Sequence, residues 1–166
     1  MKRDSLLVCV ALLVAACGTM SDGAENSYQR AMDPVRIRHI DYIASLTTEY
    51  FQKTGRMPLA DRLQEKRITV FITHRPLKDT YLEQAARLPI VVLSTDDLKA
   101  DLEKGLGRTI NLPSDPQNFA SYGPNLYIYD VNKARACVYG HLFSEAPGAF
   151  LVEGRDPGTG LVNRYY

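Results

Sequence analysis

The chain has 166 residues, 20 of them basic and 19 acidic, for a net charge of +1. A nucleic-acid binder would carry a basic excess or patch, and the sequence has neither. Three cysteines are too few for a disulfide scaffold, and the length suits one domain with its own core.

Lys2 and Arg3 give a basic start, and an apolar run follows from Leu6 to Ala16. A membrane-spanning helix needs about 20 apolar residues. The run is too short for that and fits the apolar region of a secretory signal, about 7–15 residues long. Val14-Ala15-Ala16-Cys17 resembles the lipobox of bacterial lipoproteins, although Val14 stands where that family more often has Leu. The resemblance implies that Cys17 is lipidated on sulfur, that the chain is cut before it, and that the new amino terminus is acylated, palmitate being the expected label. It also implies outer-membrane sorting, because Gly18 replaces the Asp that favours inner-membrane retention. Two or more acyl chains make a stable anchor where one is marginal. Residues 1–16 are therefore expected to be a signal peptide. The body would hang from the inner leaflet of the outer membrane into the periplasm. Loss of Lys2, Arg3 and Asp4 with the leader leaves 18 basic and 18 acidic residues.

From Gly18 to Asp33 the sequence is small and polar without a regular period, so residues 17–33 are expected to form a lipidated flexible tether. A globular domain is expected over 34–166. Its first helix should run from Pro34 to Lys53, with Asp33 as N-cap and apolar positions at Ile37, Ile40, Ile43, Ala44, Thr47, Tyr50 and Phe51. Gly55 and Pro58 end it. Arg67–Thr73 reads as a strand, Leu77–Leu88 as a helix and Pro89–Ser94 as a second, buried strand. Ser94 to Asp97 caps a helix that closes on Gly105 or Gly107. Strand, helix and strand in succession predict a parallel pair with a right-handed crossover.

Beyond the Pro/Gly/Ser-rich stretch 110–125, "LYIYDV", "ARACVYGHLF", "GAFLVEG" and "LVNRYY" predict short strands in an antiparallel meander. The expected class is α+β: a single domain with a mixed, mostly antiparallel sheet packed against an N-terminal helix and one or two further helices. "YFQKTGRMP", "GPNLYIYD" and the Gly-rich final hairpin are faintly similar to pseudopilin globular domains. That family's cleavage signature and long stalk helix are missing, and no residue role follows.

Among chemistry-bearing residues, Cys137 and His141 suggest a thiol–imidazole pair. Four residues of strand span about 13 Å, whereas a nucleophile and its base meet at about 3 Å, so any base must come from elsewhere, His39 or His74. With Cys9 in the leader and Cys17 lipidated, Cys137 is expected as a packed core thiol. The scattered histidines make no zinc spacing, so neither metal nor cofactor is expected. Asp96, Asp97 and Asp101 read as charges favourable at a helix N-terminus, and Arg155–Gly160 reads as a turn.

The tyrosines leave two readings: a sheet core with phenols reaching the rim, or a Tyr/His binding face. Tyr127, Tyr129, Tyr139 and His141 alternate with Ile128 and Val138. Placing the aliphatic set in the core turns the tyrosines and His141 toward solvent or a partner. The expected function is a non-catalytic binding or interaction module, an envelope accessory or an immunity-type protein with an envelope protein or glycan as partner. The alternative is a small periplasmic hydrolase using Cys137 or His141 with a partner from elsewhere in the fold.

Overall fold

Pro34 sets the first break in the fold. Proline has no N–H to donate to the carbonyl four residues earlier. Accordingly, the chain forms two successive helices, α1 (Gly23–Ala31) and α2 (Asp33–Thr54), parted at Met32. The structure is a computed structural model and describes residues 23–63, 67–74, 83, 87–116, 126–132, 135–140, 142, 152–154 and 163–165. Two sequence expectations change here. Met32, not Asp33, is the N-cap of α2. The segment expected as a tether is helical over Gly23–Ala31 and docked on the domain, because Gln29 is buried against α2.

Helix α2 carries Ile40, Ile43, Ala44, Leu46 and Tyr50 into the interior, as its spacing predicts. It ends at Gly55, whose left-handed φ of 74° aims its N–H at the Phe51 carbonyl. Helix α3 (Thr95–Leu106) starts from a full capping box, with Ser94 and Asp97 each accepting from the other's main-chain N–H. Gly107, at φ 70°, is its C-cap. Gly105 has a different role, set by packing.

Six strands are described: β1 (Arg67–Ile72), β2 (Ile90–Leu93), β3 (Tyr127–Val131), β4 (Ala136–Tyr139), β5 (Val152–Gly154) and β6 (Asn163–Tyr165). Their order across the sheet is β2-β1-β3-β4-β6-β5. The pair β1/β2 is parallel as expected, and β1/β3 and β3/β4 are antiparallel. The meander expectation fails at the end of the chain. There β6 lies beside β4, parallel to it, with β5 outside. The 23 residues from 140 to 162 exceed the dozen or so that a parallel crossover needs. Strand β2 is a half-buried edge rather than a buried strand. Of the helix expected over Leu77–Leu88, only Glu83, which is helical, and Arg87 and Leu88, which lie in a turn and a bend, fall within the described residues.

The protein is thus a single α+β domain. Helices α2 and α3 cover one face of the sheet, where Ile40, Ile43, Leu98 and Leu102 meet Ile68, Val70, Tyr127, Tyr129, Val131 and Val138. The opposite face gathers Phe71, Leu126 and Ile128, with Ile90, Val92 and Tyr139 packed against them.

Candidate functional site

The β3–β4 hairpin decides where the tyrosines point. Its loop is closed by Asn132, whose main-chain N–H donates to the Arg135 carbonyl and whose side chain accepts from the Arg135 N–H. That closure pairs Val131 with Ala136, and hence Tyr129 with Val138 and Ile128 with Tyr139. Directly paired residues share a face. Tyr127 and Tyr129 therefore lie with Val138, while Tyr139 lies with Ile128 on the other side. The expected common tyrosine face does not form.

Tyr127 and Tyr129 are fully buried under α2 and α3, which corrects the expectation that they face solvent. Their phenols find partners at the rim of the core. Tyr129 Oη donates to the Pro58 carbonyl at 2.8 Å, and Tyr127 Oη lies 2.9 Å from His39 Nδ1. Burial raises both phenol pKa values well above the ordinary tyrosine range. His141 and Cys17 lie outside the described residues.

The opposite face carries a polar row across three strands, Thr69, Asp130 and Cys137 being register partners in turn. Asp130 is 2 % exposed. An unpaired carboxylate there would cost several kcal/mol. Arg67 answers it with an ion pair from its guanidinium, and Thr69 Oγ1 donates to Asp130 Oδ1 at 3.1 Å. The same Arg67 donates to Tyr139 Oη at 3.4 Å. Tyr139 is also hydrogen-bonded to the Cys137 side chain. Burial pushes the Tyr139 phenol up; the charge of Cys137 adds to this and Arg67 opposes it. Cys137 and Tyr139 are half-buried, so the expected core thiol sits at the edge of the core. Arg67, Tyr139 and Cys137 thus form a partly exposed patch whose cation is oriented by a buried carboxylate.

This geometry also bears on thiol chemistry. His39 reaches Tyr127 on the helix-covered face, so the sheet separates it from Cys137. His74 lies beyond the end of β1, past Ile72, and Ile72 is already about 10 Å along the strand from Thr69 in the thiol's row.

Two further clusters fasten the fold. Arg36 is 0 % exposed, and all five of its N–H groups are used. Nε and Nη2 donate to Asp115, Nη1 to Asp33 and the Gln29 carbonyl, and Nη2 also to Gln29 Oε1, at 2.6–3.3 Å. Beside it, His39 is held by Tyr127 and the Ser114 main chain, and its pKa is lowered chiefly by burial. Asp101 accepts from the Leu59 N–H at 2.6 Å, from Tyr50 Oη at 3.0 Å and from Arg56 at 3.4 Å. Asp97 pairs with Arg62 at 2.8 Å. Asp101 therefore holds the loop after α2 rather than serving α3 alone. Among the described residues no group of His, Cys, Asp and Glu is placed to hold a metal ion.

Arg67 and Asp130 were missed from sequence, although an Asp inside "YIYDV" is a signal, since a carboxylate in an apolar strand demands a partner. Arg36 was likewise legible as the residue one turn before Ile40 on the buried stripe. Comparison with protein-family models, curated proteins and solved structures finds no match for this chain.

Proposed function

We propose that the protein is a periplasmic lipoprotein, anchored in the outer membrane through Cys17, that acts as a binding module rather than a catalyst. Its sheet face around Arg67 and Tyr139 is the recognition surface. The anchor rests on the lipobox resemblance at Val14–Cys17. The recognition role rests on one observation: Arg67 is held by buried Asp130 while touching half-buried Tyr139. A fixed Arg beside a Tyr can contact a partner without losing side-chain freedom on binding, and these residue types dominate binding hot spots. The partner class is an envelope protein or a glycan.

Tyr139 replaced by a photo-crosslinking phenylalanine analogue tests this in intact envelopes. The expected result is a discrete adduct that weakens when Arg67→Ala is added. Absence of any adduct, with the protein folded and correctly located, would refute the recognition surface. In the hydrolase reading, Cys137→Ala would abolish function in a stable protein while Tyr139→Ala stayed silent. The binding reading expects the reverse.

A further inference from the structure

The first helix is fixed to the domain, and this shortens the reach from the anchor. Arg36 takes both the carbonyl and the side-chain oxygen of Gln29, at 2.6 and 2.7 Å, so α1 is clamped just before the break at Met32. With Gln29 facing inward, Ser27, Tyr28, Arg30 and Ala31 are left exposed, Tyr28 at 57 %. On α2, Arg38 and Tyr42 are exposed one turn apart, Tyr42 at 41 %.

Only residues 18–22 separate Cys17 from the start of α1 at Gly23. Six Cα steps span at most about 20–22 Å when fully extended. As a flexible coil the same stretch averages about 12–15 Å end to end. A tether running to Asp33 would let the domain hang clear of the lipid; with Cys17 lipidated, a link of residues 18–22 alone would keep α1 within reach of the headgroup layer, where tyrosine is favoured and arginine can reach phosphate.

We propose that the exposed side of α1, led by Tyr28 and Arg30, rests on the phospholipid headgroups beside the anchor and sets the domain's orientation on the membrane. The proposal rests on the lipoprotein reading. Helix α1 contains one acidic and one basic residue, Glu25 and Arg30. The fitting surface is therefore zwitterionic, and the contact should persist at raised salt.

The chain contains no tryptophan, so Tyr28→Trp, Tyr42→Trp and Val91→Trp each introduce a single emitter at an exposed position. The full lipidated protein is reconstituted in phosphatidylethanolamine/phosphatidylcholine vesicles with brominated acyl chains. Tyr28→Trp should be blue-shifted and strongly quenched, Tyr42→Trp less so, and Val91→Trp on the sheet edge least, at low and high salt alike. Equal quenching at all three positions, or none, would overturn the proposal. So would a blue shift at position 28 without bromolipid quenching, which would mean that a protein surface covers α1. Palmitate incorporation is read on the same samples. Incorporation without selective quenching defeats the headgroup contact alone, whereas no incorporation defeats the anchor and the contact together.

Discussion

At the scale of single residues, small changes in position carry large consequences. Gly105 lies within α3, where Ala would normally stabilise a helix by about 1 kcal/mol. Here a Cβ would run into the Tyr50 ring. That ring is packed in the core and tied to Asp101; burial, reinforced by the hydrogen bond to Asp101, raises its pKa to about 12. Gly105→Ala should therefore destabilise by about 1–3 kcal/mol, the usual range for overpacking, and show a lowered Tm. An unchanged or raised Tm would mean that the ring can move aside.

His39 supplies a pH dependence. Burial favours its neutral form and lowers its pKa from 6.5, more than Asp115 opposes this, while Arg38 adds to the lowering. The unfolded chain thus binds a proton at higher pH than the folded one. The stability that comes from keeping His39 neutral is complete above about pH 6.5 and is lost as pH falls toward the folded-state value. The Tm of wild type should fall more steeply than that of His39→Gln between neutral and mildly acidic pH. Parallel curves would assign the acid response to other groups.

At the scale of elements, the junction of α1 and α2 depends on one buried cation. Arg36 faces Asp33, Asp115 and Gln29 with every N–H group used. Removing it leaves two buried carboxylates without that cation. Breaking a buried pair in this way typically costs 3–5 kcal/mol. Arg36→Met should lower the unfolding free energy by that order, seen as a lower denaturation midpoint, and expose α1 to protease. Asp115→Asn should do less, because an amide oxygen still accepts from the guanidinium. Equal midpoints for Arg36→Met and wild type would show the cluster to be dispensable. The sheet illustrates the complementary point. Each tyrosine's parity within its own strand was readable, but the relation of β3 to β4 depended on the closure between Asn132 and Arg135. A one-residue change in register moves every side chain to the other face.

At the scale of the whole molecule, the anchor and the domain can be tested separately. Cys17→Ser should abolish palmitate incorporation and release the protein from membranes. Wild type should co-sediment with the outer membrane in a density gradient. A mutant labelled as strongly as wild type would refute lipidation at Cys17, and wild type tracking the inner membrane would refute the sorting inferred from Gly18. No described helix is long and apolar enough to cross a membrane.

Local chemistry determined much of this protein without help from the fold. The α+β class, the buried stripe of α2, the Ser94–Asp97 capping box and the parallel β1/β2 pair all follow from residues near one another in sequence. Helical and strand periods, caps and turns act over a few residues and need no distant partner. Other features required the tertiary structure. The two faces given to Tyr129 and Tyr139, the place of β6 between β4 and β5, the Arg67–Asp130 pair and the clamp of Arg36 on Asp115 join positions far apart in the chain. Such contacts depend on strand register and on which sheet face the helices cover. Tyr127 and Tyr129 share the helix-covered face with Val138 while Ile128 packs on the other, and the two buried phenols still reach His39 and Pro58 at the rim.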